Sequence, residues 1–327
     1  MSLLQRTGDG LIGARDRIFF RFLATPQDNM WSESSVEAGR ILEWIDRAGY
    51  ACAASWSSSY CVTAYVGNVN FSTPIPAGAI IEISAQIIHT RRTSMQVLVR
   101  VESSDLHTGQ LSPAMDCILV FVAVDSSGRP RPVPAWSPST ELERRMESNA
   151  QARVAIREEI HAAMRQQSYT DQGTTPHLTF RFLASPSVAN FGGKVHGGTV
   201  MRWITETAHA CASEWTSASP LAIYSGGIHF YHPIAIGDVV EVDARLIHTS
   251  ADTMHVATRV HSWPLSGLPG RRRTTQCLSI YVNPDEDRRR RPIKAITLIS
   301  DEDRRLSLHA EELVRLRAQL AGLPKGN

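Results

Sequence analysis

Two stretches of the chain carry the same hydrophobic rhythm. Ile41, Ile45, Ala48 and Cys52 recur at intervals of four and three residues, and so do Val200, Ile204, Thr207 and Cys211. That period predicts one helix in each stretch with a single face buried in a core. After each helix the pattern changes. The runs "AIIEISAQIIHT", "SMQVLVRVES" and "CILVFVAV" follow the first, and "DVVEVDARLIHT", "MHVATRVHS" and "CLSIYVN" follow the second. They are rich in Val and Ile and separated by Gly, Ser or Pro, which predicts strands. Each block is therefore an α+β unit in which a meandering antiparallel sheet wraps one central helix.

The two blocks are copies. "FRFLATP" at 20–26 recurs as "FRFLASP" at 180–186, "WIDRAGYACAASW" at 44–56 matches "WITETAHACASEW" at 203–215, and Cys117 falls opposite Cys277. Helix and early strands correspond at a constant offset of 159 residues. A repeat of about 125 residues is a domain, since solenoid repeats run to roughly 20–50. Between the copies "STELERRMESNAQARVAIREEIHAAMRQQ" opens with a capping box, Thr140 to Glu143, and predicts a connecting helix. A charged stretch of similar character, "DEDRRLSLHAEELVRLRAQL", trails the second copy. The expected organisation is a first domain over 1–137, a linker helix within 138–170, a second domain over 171–299, and a C-terminal helix and tail over 300–327.

Composition narrows the class. The 327 residues are 43% hydrophobic, enough for two cores of ordinary size, and the net charge of +2 argues against a partner as acidic as nucleic acid. The first twenty residues hold no uninterrupted apolar segment of signal-peptide length, and no other run approaches the ~20 apolar residues of a membrane span. A cytoplasmic location without membrane contact is the expectation. Cys52, Cys61, Cys117, Cys211 and Cys277 form no CxxC pair and are expected as buried free thiols rather than a disulfide framework or metal site.

The candidate chemistry lies at the start of the second helix. In "NFGGKVHGGTVMRWIT", residues 190–205, a glycine-rich turn runs into the helix. Unpaired N–H groups at a helix start carry the positive end of the helix dipole, so Gly198 or Thr199 could hold an oxyanion or a polarised carbonyl. Seven residues beyond Gly198, near two helical turns, stands Thr205; in the first copy, seven residues beyond Gly39 stands Asp46. Glu206 is a rival acid, rotated by about 100° around the helix. Glu37, at a helix start, would compete for the N–H groups an oxyanion needs. Asn190 suits either an Asx turn or a role in the site. His229 and His232 fall on opposite faces of a strand and are expected as structural residues. Arg271 to Arg273 and Arg288 to Arg291 fit solvated loops or phosphate contacts.

An Asn, a Gly pair after His at a helix start, and a following sheet resemble the hotdog-fold acyl-CoA thioesterases. The duplication makes the chain similar to the double-hotdog cytosolic acyl-CoA hydrolases over roughly residues 18 to 320. The resemblance implies two tandem hotdog domains forming an intramolecular pseudo-dimer. Its sites would lie between units, with the carbonyl-binding turn from one and the acid from the other. Neither copy has the whole motif, and the losses are complementary. Asp46 with Asn190, His196, Gly197 and Gly198 would make one complete site; Gly39 and Thr205 would mark a degenerate one. Asp46 would act as general base or nucleophile, and Thr199, Arg288, Arg289 and Arg290 would contact the acyl-CoA substrate. No cofactor is implied, since coenzyme A belongs to the substrate, and no metal. The family's habit of assembly implies a homo-oligomer, a trimer of duplicated chains. A catalytically silent acyl-CoA-binding or regulatory protein is the alternative, followed by a hotdog hydratase or dehydratase using His196 and Asp46.

Overall fold

Ile41, Ile45, Ala48 and Cys52 are buried along α1 (Ala38–Ser57), and Val200, Ile204, Thr207 and Cys211 along α3 (Gly197–Thr216). Each helix turns inward the face that the spacing predicts. The computed structural model describes residues 16–29, 35–71, 73–104, 109–216, 219–267 and 270–320. The strands of the first half are β1 (Arg17–Leu23), β2 (Cys61–Val66), β3 (Val69–Asn70), β4 (Ile80–Thr90), β5 (Ser94–Ser104) and β6 (Leu111–Ala123). Those of the second are β7 (His177–Leu183), β8 (Leu221–Phe230), β9 (Val239–Thr249), β10 (Met254–Trp263) and β11 (Arg272–Val282). α1 packs on the strands of the first half and α3 on those of the second.

Among the described residues the strands join into one eleven-stranded sheet in the order β1-β4-β5-β6-β2-β8-β11-β10-β9-β7, with β3 paired to β8. The two halves meet where β2 pairs antiparallel with β8 through Tyr65↔His229 and Val66↔Ile228. Alternation sets which face each strand buries. In β1, Ile18, Phe20 and Phe22 pack on the core while Phe19 and Leu23 face outward. α1 and α3 lie against each other inside the curve of the sheet, and Ile41, Leu42 and Ile45 share one core with Met201 and Ile204.

The duplication holds at the level of contacts. The Phe22 and Trp44 rings meet edge-on at 4.8 Å, as do Phe182 and Trp203. Trp56 Nε1 donates to the Pro134 carbonyl at 3.0 Å, and Trp215 Nε1 to the Lys294 carbonyl at 3.0 Å. Each of these four tryptophans thus makes the same contact in its own half, and Trp44 and Trp203 also border the core that the halves share. The five cysteines are buried and unpaired.

The connecting segment does more than link. α2 (Glu141–Arg165) begins with the Thr140/Glu143 capping box and lies on the outer face of the sheet. Its Met146 and Ala150 pack with Ile88, Leu98 and Ile118 of the first half. Further along, Ile160 and Met164 pack with Ile247 and Leu278 of the second half and with Leu306 and Leu313 of α4 (Asp301–Ala318). α2 therefore ties both halves together from outside. No helix among the described residues is long and apolar enough to cross a membrane.

Candidate active site

The turn before α3 is built around Asn190. Its Oδ1 accepts from the backbone N–H of Gly192 at 2.9 Å and of Lys194 at 3.1 Å, and Gly193 takes a positive φ of 68° to close the loop. The chain then runs extended, with Val195 N–H donating to the Ile234 carbonyl, before the helix begins at Gly197. Phe191 is left at the tip of the turn, 88% exposed.

α1 brings Asp46 to this turn from the other half of the chain. Asp46 is only 1% exposed, and both carboxylate oxygens are held. Oδ2 accepts from the Gly198 backbone N–H at 2.7 Å, and Oδ1 accepts from the Thr63 hydroxyl at 2.7 Å. His196 Nδ1 lies 3.5 Å from the same Oδ2. The approach requires glycine: a Cβ on Gly198 would stand 2.9 Å from Glu43 Cα and 3.1 Å from Asp46 Cβ, and one on Gly197 3.0 Å from Thr63 Oγ1. Two helices meet here nearly backbone to side chain.

A cavity of about 1120 Å³ opens beside this cluster. Asp46, Tyr50, Tyr60, Thr63 and Arg131 line it from the first half, and Asn190, Phe191, Lys194, His196, Gly197 and Val200 from the second. Burial raises the Tyr50 and Tyr60 phenols, and Cys61 in the same wall is raised by burial as well, so it offers a thiol rather than a thiolate. His232 also lines the cavity, whereas His229 turns to the opposite face and stacks on His161 at 3.8 Å. The two do not share a strand: β8 ends at Phe230 and His232 lies in the bend that follows it.

The structure brings Asp46, Asn190, His196, Gly197 and Gly198 together and separates other expected members. Gly198 N–H is committed to Asp46, so it is not free for an oxyanion; among the described residues Gly197 N–H has no such partner, and Gly197 lines the cavity. The Thr199 hydroxyl donates to Glu43 Oε1 at 3.3 Å. Arg288 and Arg290 line a different pocket, and Arg289 lies near Asp287. Thr63 was not singled out in the sequence. Its signal was available in the duplication, because the residue 159 positions on is Ala222, a polar-to-apolar change parallel to Asp46 against Thr205.

That other pocket, of about 270 Å³, surrounds Thr205. The Thr205 hydroxyl donates to the Met201 carbonyl at 2.8 Å, one turn back, and Gly39 sits at the start of α1 beside Arg202. Glu206 is drawn away into an ion pair with Arg202 at 2.7 Å. Glu37 occupies the position that His196 holds in the Asp46 site.

A family profile described as "Thioesterase superfamily" matches residues 36–110 and 192–263, one segment in each half. The chain belongs to the thioesterase superfamily, with the hotdog fold. Protein VdlD of Helicobacter pylori is 29% identical over 143 residues, covering 44% of this chain and 81% of that protein. The human cytosolic acyl coenzyme A thioester hydrolase is 24% identical over 311 residues, 88% of this chain and 80% of that one. A crystal structure of an acyl-ACP thioesterase from Bacteroides thetaiotaomicron aligns with 81% of this chain and 97% of its own at a TM-score of 0.52 and 11% identity, a likeness of fold alone. The two profile segments of this thioesterase-superfamily chain begin just ahead of α1 and α3, so each covers the helix start and helix from which the site is made.

Proposed function

We propose that the chain is an acyl-CoA thioesterase that hydrolyses acyl-CoA to free acid and CoA at one composite site between the halves of an intramolecular hotdog pseudo-dimer. The observation that carries the reading is the 2.7 Å contact of the buried Asp46 carboxylate with the α3 helix start of the other half. It gives one position an acid and a helix N-terminus, and leaves the other with Thr205. The relative named as a cytosolic acyl coenzyme A thioester hydrolase, matched over most of both chains, supports the substrate class and a cytoplasmic setting.

In the proposed reaction the thioester carbonyl lies over Gly197, whose N–H is at the positive end of the α3 dipole and stabilises the oxyanion. Asp46 either takes the proton from a water that attacks the carbonyl, or attacks it itself to give a mixed anhydride that water then cleaves; in both routes the C–S bond breaks and CoA leaves as thiolate, which takes up a proton. Thr63 and Gly198 N–H hold the carboxylate in place for either route. His196 polarises the same carboxylate or the substrate carbonyl. Asn190 acts by shaping the turn, since its Oδ1 already accepts two backbone N–H groups. No cofactor enters the scheme. We further propose a homo-oligomer, a trimer of such chains.

The test is release of free thiol from a panel of acyl-CoA esters, with the acyl product identified. Thiol and free acid in equal amounts are expected. Binding without thiol release would mark a silent acyl-CoA binder. Loss or gain of an acyl double bond with the thioester intact would mark a hydratase or dehydratase.

A further inference from the structure

The loop after β11 departs from its counterpart after β6 in one informative way. Both loops close by the same hydrogen bonds: Asp125 N–H to the Arg129 carbonyl and Gly128 N–H to the Asp125 carbonyl in one, Asp285 N–H to the Arg289 carbonyl and Arg288 N–H to the Asp285 carbonyl in the other. Val124 bridges Pro130, and Pro284 bridges Arg290. Arg288 therefore stands where the first copy has Gly128, and Arg290 where it has Pro130. Gly128 has a φ of 77° and Arg288 a φ of 62°, so an arginine occupies a left-handed position suited to glycine. The strained residue lies on the wall of the Thr205 pocket, as does Arg290.

The rest of that pocket has lost hydrolytic groups while keeping an apolar lining. Thr205 replaces the aspartate and Ala222 the threonine, and Ile41, Phe71 and Met115 lie among the walls. Glu37 is also in the lining, and neither of its buried oxygens has a hydrogen-bond partner among the described residues. Burial raises its carboxyl to about 7, so near neutral pH a substantial fraction of it is protonated and able to donate to a carbonyl oxygen. Arg290 also pairs with Asp252 at 3.0 Å, half exposed on both sides, which leaves that contact weak enough to exchange for a phosphate.

We infer that the Thr205 pocket is a second binding site, which holds an acyl chain with a phosphorylated head group, the class of acyl-CoA, without cleaving it. Arg288 and Arg290 meet the phosphates, the apolar wall takes the acyl chain, and Glu37 faces the carbonyl. The ligand class rests on the function proposed for the Asp46 site; the pocket itself does not.

Equilibrium binding of S-(2-oxododecyl)-CoA, a ketone that keeps a carbonyl and resists hydrolysis, tests this on the full chain. The expected result is two equivalents per chain, falling to one both in Arg288→Gly/Arg290→Pro, which restores the first-copy loop residues, and in Ala222→Trp, which fills the pocket. One equivalent in the wild type overturns the second site and leaves the thioesterase reading standing, whereas no binding overturns both. Two equivalents that persist in the loop variant overturn the role of the arginines. If dodecanoate alone takes the second place with equal affinity, the phosphorylated head is not what the pocket recognises and the inference fails.

Discussion

At the scale of single residues, Asp46, Gly198 and Thr63 act as one unit. Gly198→Ala puts a methyl against Glu43 and Asp46 with no space to receive it, so the two helices must part; a cost of about 1–3 kcal/mol in stability is expected by denaturant titration, with loss of thiol release. Arg288→Gly removes a left-handed side chain from an exposed loop and is expected to raise stability by about 1 kcal/mol in the same measurement. Glu37 makes the stability depend on pH. Burial raises its carboxyl from 4.5 to about 7, with Glu206 and Glu43 adding to the rise and Arg202 and Arg40 opposing it. An acid raised on folding contributes stability that is complete below about pH 4.5 and is lost as the pH rises through 7. Glu37→Gln should therefore raise the melting temperature at pH 8 and leave it nearly unchanged at pH 4.5.

The pairing of Asp46 with the Gly197–Gly198 turn was implied by the resemblance to hotdog thioesterases, whose sites lie between units, and the duplication added that each copy lacks what the other keeps. The details of donor use were not. A free helix N-terminus suggested Gly198 N–H for the oxyanion, yet burial of a carboxylate at this spot needs donors of its own, and Gly198 N–H serves it. Thr63 lies 17 residues from Asp46 on a separate strand, beyond the reach of helical periodicity. The arginines after β11 were visible as a charge run, but the two halves each contribute to two pockets, and charge alone does not say which one a loop borders.

At the scale of elements, the start of α2 carries a stabilising device of its own. Burial alone would raise Glu143, but hydrogen bonds from the Ser139 hydroxyl, the Ser139 and Thr140 N–H groups and Arg17 outweigh it and hold the carboxyl at about 2. A depressed carboxylate contributes stability that is present above the ordinary glutamate range and is lost as the pH falls from about 4.5 towards 2. Thr140→Ala removes the reciprocal half of the capping box and is expected to cost about 1 kcal/mol, read as an earlier midpoint in urea. The capping box and composition predicted this connecting helix, but not its packing on both halves. Its apolar stripe is sparse, Met146, Ala150, Ile160 and Met164 among many charges, and only the folded sheet shows that these residues meet both halves.

At the scale of the whole molecule, the duplication yields one object. The sheet is continuous through the β2 and β8 pair, and α1 and α3 share a core. The chain should unfold in one transition, with a fluorescence probe at Trp44 and another at Trp203, each in a variant lacking the remaining tryptophans, giving coincident midpoints. Two separate midpoints would mean that the halves are stable apart. The same continuity explains why an acid in one half can serve a helix start in the other.

The central claim is that Asp46, and not its counterpart Thr205, supplies the acid. Its most direct test is the kcat for thiol release by Asp46→Asn and Thr205→Ala against wild type. A fall of roughly 10²–10⁴ in Asp46→Asn with Thr205→Ala within about 2-fold of wild type is the predicted result. Full activity in Asp46→Asn, or an equal loss in both variants, would contradict the single composite site.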